Sequence, residues 1–301
     1  GSLETNANPY ITKLGEDKDA AFRINIAQSF NGVGQFLGPI IGGTLFLSIA
    51  TSHNVSNNMH NVQLVYIAIA AIVVCMLLTF LVAKMPEGSE VSDEEISNQG
   101  KGTYGQLFRY KHFKLGALAQ FLYISAQVGA GAFFINYSVE HWSGISDSKA
   151  AYFYSIALIA FMVGRIITTP LMKKFSAGKI LGIYSTLNVF LMIFLNLATG
   201  SLSVFLLIAS FFFMSISFPT IFALSIVRIP ENLVKTGSSI IIMSLVGGAI
   251  MPFLMGHIAD NFGTATSYLL LLPCFLYVAW YGFKGCKIEE AVKIEKGDIK
   301  C

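Results

Sequence analysis

Apolar runs of about twenty residues recur along the chain, and this repetition constrains the fold more than any other feature. Complete runs lie near 24–49, 63–83, 115–139, 150–172, 179–198, 202–226, 237–258 and 265–283, after a shorter apolar segment at 1–14. Each is long enough to cross a bilayer as a helix. Hydrocarbon offers the backbone no hydrogen-bond partner, so a spanning segment that is not part of a closed barrel must be helical. The predicted class is therefore an all-α multi-pass membrane protein. Composition agrees: 54% of the 301 residues are hydrophobic and 12% charged, where soluble domains carry about 25% charged residues. The net charge of +3 does not indicate nucleic acid, because the basic residues sit in short loops and form no stripe. Cys75, Cys274, Cys286 and Cys301 show no paired spacing, which predicts neither a disulfide framework nor a metal site. No basic leader precedes an apolar run, so no signal peptide is expected.

The connections alternate in charge. On one side lie Lys13, Lys18 and Arg23, then Lys84 to Lys114, then Lys173, Lys174 and Lys179, then Arg228 and Lys235, then Lys284 to Lys300. These are 18 of the 20 basic residues. The opposite loops hold only Lys149, and Arg165 lies within a span. The positive-inside rule makes the first side cytoplasmic, with the C-terminus on it. Asn54-Val-Ser56 in an outer loop is a possible glycosylation sequon.

Residues 84–113, with Glu87, Glu90, Asp93, Glu94 and Glu95 among Gly and Ser, form the longest polar stretch between spans. They divide the chain into 1–83, the end of an N-terminal bundle; 84–113, a cytoplasmic linker; 114–285, a six-helix bundle; and 286–301, a cytoplasmic tail. A repeat joins the two sides. Pro39 has Gly34 before it and Gly43 after it, and Pro252 has Gly247 and Gly256 at the same offsets; upstream, Pro9 corresponds to Pro219. On that register, segment 1–14 and the next two spans match the last three spans of the second half. The expected whole is twelve helices in two parallel halves, a major facilitator architecture, of which this chain runs from the end of helix four to helix twelve.

Glu4 is the one acidic residue deep in an apolar segment, about 15 Å from the boundary near Leu14. An ionised carboxylate there is costly, so it is expected to face a wet cavity or to be protonated for part of a cycle, which makes it a candidate proton carrier. On the next helix Gln28, Asn31 and Gln35 recur at i, i+3 and i+7, with Asn25 extending the stripe. Amides both donate and accept, which suits sugar hydroxyls, although each alone could equally bond a neighbouring helix. Gln120, Tyr123 and Gln127 repeat the spacing and Asn136 follows. A ring among amides fits the apolar face of a pyranose, while aromatics are common enough in this chain for Tyr123 to be core. Asn8 completes the candidate sugar-binding set. Arg165, about 12 Å before Lys173, is assigned to gating or structure, as are the kink-forming Pro39, Pro219 and Pro252.

Leu3-Glu-Thr-Asn-Ala-Asn-Pro-Tyr10, Arg23-Ile-Asn-Ile-Ala-Gln-Ser-Phe-Asn31, Ala119-Gln-Phe-Leu-Tyr123, Gly164-Arg165 and Met214-Ser-Ile-Ser-Phe-Pro-Thr-Ile-Phe-Ala-Leu224 together resemble the fucose/proton symporter family of the major facilitator superfamily, which includes glucose/galactose permeases. The resemblance runs the length of the chain. It implies monosaccharide uptake with protons, with Glu4 matching the coupling carboxylate and Gln28 and Asn31 matching a sugar-binding pair. A family acid on the first helix has no position here. Where bacterial fucose members carry a Trp and an Arg, this chain has Gly131 and Asn136, which leaves the hexose open.

The expected function is thus proton-coupled symport of fucose or a related hexose by alternating access, as a monomer in the plasma membrane, with the proton as coupling ion and no other cofactor. The alternative is a sugar sensor on the same scaffold. No enzyme is expected: His53, His60, His112, His141 and His257 lie in loops or at span ends and share no depth with a carboxylate cluster or nucleophile.

Overall fold

The computed structural model describes residues 2–32, 34, 67, 70–71, 73–75, 77–79, 104–227 and 229–287. Most of the spans predicted at 24–49 and 63–83, with Gln35, Pro39 and Asn54, lie outside the described residues. Among the described residues every regular element is helical. The chain divides into two compact units, 1–30 with 91–301, and 31–90. In the smaller one, the described positions from 67 to 79 are helical, and the Thr79 hydroxyl donates to the Cys75 carbonyl.

The larger unit opens with α1, Ser2–Lys13, and with α2, residues 20–32, as far as Phe30. Six helical rods follow, each long and apolar enough to cross a membrane: α3 Lys111–Ala132, α4 Asp147–Lys173, α5 Ala177–Leu197, α6 Ser201–Ile226, α7 Asn232–Phe262 and α8 Thr264–Gly285. They follow the six spans predicted after the polar stretch, except that the first, predicted at 115–139, is divided at Phe133 into α3 and a short separate helix, Phe134–His141. Several run further than predicted. α7 covers 232–262 rather than 237–258, and its extra turns carry Asn232, Lys235, Asp260 and Asn261. Hydrogen bonding within the helix persists beyond the hydrocarbon, where hydropathy has already fallen.

Burial shows which solvent the rods meet. On α5 the apolar Leu187, Phe190 and Phe194 are exposed along one stripe, whereas Ser185 and Asn188 are buried. A protein in water would reverse that order, because large exposed apolar patches drive association. Inside, α3 packs against α6, α7 and α8, α6 against α4 and α5, α8 against α5, and α1 against the first half of α7. Buried tyrosines fasten these contacts, each hydroxyl donating to a backbone carbonyl of another rod: Tyr137 to Leu195 at 2.7 Å, Tyr268 to Ala130 at 2.8 Å and Tyr123 to Met214 at 2.7 Å. The apolar ring fills the core and the hydroxyl is satisfied.

Two glycine positions shape the two ends of α8. Gly263, with φ +85°, is the single residue between α7 and α8; the Glu140 carboxylate accepts from the Thr264 amide at 3.1 and 3.2 Å, placing negative charge at the start of α8. At the other end Gly282 meets α5 backbone to backbone. A Cβ on Gly282 would lie 2.6 Å from the Gly182 nitrogen and 2.7 Å from the Gly178 carbonyl oxygen, and neither atom can rotate away. Gly282→Ala is expected to cost about 1–3 kcal/mol, the usual range for overpacking, read as a lower thermal unfolding midpoint in detergent. Gly105→Ala, where nothing lies within 4 Å, serves as the silent control.

Candidate functional site

The site begins with a break in α6. The rod consists of helices Ser201–Met214 and Ser217–Ile226 joined by a turn at Ser215 and Ile216. The cause is local: in an unbroken helix the Ser215 carbonyl would accept from residue 219, and Pro219 has no N–H. The ladder resumes one residue later, where the Thr220 amide donates to the Ile216 carbonyl at 3.1 Å. A buried carbonyl is left over, and Arg165 takes it, its Nε donating to Ser215 O at 2.8 Å. Tyr123 binds the neighbouring Met214 carbonyl. Gly164 brings α4 close enough for this reach, since a Cβ there would lie 2.7 Å from the Phe212 carbonyl oxygen.

Arg165 also spans the two parts of the site. Its Nη1 donates to the carbonyl of Gln28 on α2 at 2.6 Å, and its guanidinium carbon lies 5.0 Å from the centroid of the Phe161 ring. The residue is 6% exposed, and among the described residues no acid forms an ion pair with it. Among the described residues its charge is met by the carbonyl dipoles of two helices and by one ring face, an expensive placement inside a membrane span.

The Gln28 side chain continues the path, donating through Nε2 to Asn8 Oδ1 on α1 at 3.2 Å. Asn25, one turn earlier, donates to the Ala21 carbonyl at 2.7 Å and to Thr220 Oγ1 on α6 at 3.1 Å. Arg23 fixes α1 beside α2, its guanidinium donating to the carbonyls of Ile11 at 3.1 Å, Glu16 at 2.9 Å and Thr12. It thereby satisfies carbonyls that the end of α1 would leave without donors. Asn8, Gln28, Arg165 and Tyr123 are thus joined through amide groups and the Ser215 and Met214 carbonyls into one polar path across five helices, α1, α2, α4, α6 and α3.

Gln120 lies one turn from Tyr123 on α3. It is 0% exposed, and neither its amide nitrogen nor its amide oxygen has a partner. Asn8 Nδ2, Asn25 Oδ1 and Ser215 Oγ are also buried without one. Such groups are rare because each costs about 1–3 kcal/mol, and they concentrate where a ligand or water completes the set. Gln127 is half-buried, while Asn31 and Asn136 are exposed. Pro219 is buried in the first turn of its helix, and Pro252 is half-buried within α7. Glu4 lies in α1 one turn before Asn8; its side chain is outside the described set. Among the described residues no three His, Cys, Asp or Glu side chains gather to hold a metal.

Tyr154 on α4 is a residue that sequence reasoning missed. Its hydroxyl would lie 2.9 Å from a Cβ on Gly131, and its ring packs on Phe134 and Phe211 at centroid distances of 5.2 and 5.9 Å. The missing bulk at Gly131 was the available signal, because an aromatic on the facing helix occupies the space.

The Major Facilitator Superfamily model matches residues 1–245. The chain belongs to that superfamily. It is 33% identical over 286 residues to a glucose/galactose transporter of Brucella abortus biovar 1, covering 95% of this chain and 68% of that one. It is 32% identical over 298 residues to the L-fucose-proton symporter of Escherichia coli K12, covering 92% and 67%. A crystal structure of the E. coli fucose:proton symporter superposes with a TM-score of 0.85 at 29% identity, over 94% of this chain and 73% of that one. A second, described as FucP in the outward conformation, gives 0.82 at 28% identity, over 94% and 72%. The fold is the major facilitator fold, and the chain is an integral membrane protein.

Proposed function

We propose that the chain acts in proton-coupled symport of fucose or a related hexose by alternating access. The observation that carries this reading is the buried polar path Asn8–Gln28–Arg165–Ser215, with its unpartnered buried amides, in a chain whose relatives are named as sugar and sugar–proton transporters. Gln28, Asn8 and Gln120 supply amides to the sugar, with Asn31, Gln35, Tyr123, Gln127 and Asn136 as further contacts. Glu4 carries the proton, so the proton is the coupling ion and no bound cofactor or metal takes part. Arg165 and the prolines serve the conformational change. The chain works as a monomer in the plasma membrane with its C-terminus cytoplasmic, binds no nucleic acid and catalyses no covalent chemistry.

The test is uptake into proteoliposomes under an imposed pH gradient, with labelled fucose, galactose and glucose in parallel. Accumulation of one of them that collapses with a protonophore supports the reading. Saturable binding without flux would replace symport with sensing. Gln120→Leu separates ligand binding from packing. It is expected to raise the KM for sugar about tenfold, from the loss of roughly 1.4 kcal/mol of hydrogen bonding to the ligand. The same change is expected to leave the unfolding midpoint unchanged or higher, because an unpaired amide has been removed. An unchanged KM with lower stability would make Gln120 a core residue.

A further inference from the structure

A cavity of about 590 Å³ opens at the lysine-rich end of the rods, apart from the polar path. Its walls come from the α1–α2 turn, the end of α4, the start of α5, the end of α6 and the end of α8. Five lysines line it, Lys18, Lys173, Lys174, Lys179 and Lys287, against Asp17 and Asp19, an excess of three positive charges. Two of the lysines are engaged: Lys18 pairs with Glu16 at 2.5 Å, and Lys173 lies 4.3 Å from the centroid of the Phe22 ring. Among the described residues Lys174, Lys179 and Lys287 form no ion pair.

Two further features point to an anion. The first residues of α5, Ala177, Gly178 and Lys179, form part of the wall, so the positive end of a 21-residue helix is turned toward the cavity. The rim also carries Phe175, 58% exposed, and Phe283, 41% exposed. In a membrane protein, aromatic side chains open at the ends of the rods stand where headgroups meet acyl chains. Lysines above an open aromatic rim match a ligand that is anionic at one end and apolar at the other. The volume falls in the range of about 300–1,000 Å³ of small-molecule sites.

We propose that this cavity binds the phosphate-bearing headgroup of an anionic phospholipid. Lys174, Lys179 and the start of α5 hold the phosphate, Lys287 adds charge, and Phe175 and Phe283 line the path of the acyl chains. A lipid seated there ties the α1–α2 turn to the ends of α4, α5 and α8. The site is independent of the sugar path and stands whether or not the chain transports sugar.

The test is native mass spectrometry of the purified chain after exchange into mixed micelles of phosphatidylglycerol and phosphatidylcholine, with the unfolding midpoint measured in parallel. The unsubstituted chain is expected to retain phosphatidylglycerol over phosphatidylcholine by at least tenfold, which is about 1.4 kcal/mol. The double variant Lys174→Gln, Lys179→Gln should lose that preference. Lys149→Gln, at the opposite end of the rods, should keep it. Equal retention of the two lipids, or an unchanged preference in the double variant, overturns the proposal. Should inorganic phosphate raise the unfolding midpoint as much as phosphatidylglycerol does, the lipid assignment falls. Should the double variant fail to fold, Lys287→Gln alone is expected to halve the preference or more, and no change in that variant also counts against the site.

Discussion

Arg165→Ala is expected to lower the initial rate of pH-driven sugar uptake at least 100-fold, and Arg165→Lys nearly as far. A 100-fold loss corresponds to about 2.7 kcal/mol. Removing the side chain strips the Ser215 carbonyl of its donor and releases the carbonyl of Gln28, and each unsatisfied buried group costs about 1–3 kcal/mol. Lysine keeps the charge but, as a point donor on a flexible stem, cannot reach carbonyls on two helices in the same geometry. A purely structural role would lower stability and leave the sugar KM of the folded fraction unchanged. A positioning role should raise that KM, because Gln28 would no longer be held. Pro219→Ala offers a route that does not touch the arginine. It gives residue 219 an N–H that competes for Ser215 O, closes the break in α6 and weakens the hold of Arg165. It should shift KM in the same direction while stabilising the rod. Arg165 variants with normal KM and transport would remove the residue from the mechanism.

Glu4→Gln is expected to abolish accumulation driven by a pH gradient while leaving sugar exchange intact. For one proton per sugar, each unit of pH difference is worth about 1.4 kcal/mol and supports roughly tenfold accumulation. The amide cannot carry that proton, so the internal-to-external ratio should fall to about one, while counterflow of labelled against unlabelled sugar continues. Accumulation that still rises with the gradient would relocate the proton site. Loss of both accumulation and counterflow would mark Glu4 as a sugar or structural residue.

Much of this molecule is legible in order along the chain. The six rods from α3 to α8 follow from hydropathy alone, because a bilayer tests every residue against the same solvent and the signal is local. The buried amides Asn8, Gln28 and Gln120, the buried Arg165 and Pro219 were likewise singled out by type and spacing, since polar residues in apolar runs are costly enough to be conspicuous. Their pairings were not legible. Nothing near Arg165 in sequence names Gln28, 137 positions away, or Ser215, 50 positions away. Pro219 looked like a kink, yet in the folded chain its main effect is to free the carbonyl that Arg165 holds. Tyr123 read as a possible sugar platform, and its hydroxyl is given to Met214.

The close approach at Gly282 and the lysine-lined cavity were hidden for the same reason. Each depends on which surfaces meet when α5 and α8 cross, and Gly182 lies 100 positions before Gly282. The sequence by itself determined which segments enter the membrane and which residues are too polar to be there without purpose. The tertiary structure alone decided which carbonyl each of those residues satisfies, because a hydrogen bond requires two groups about 3 Å apart and only the packed helices set that distance.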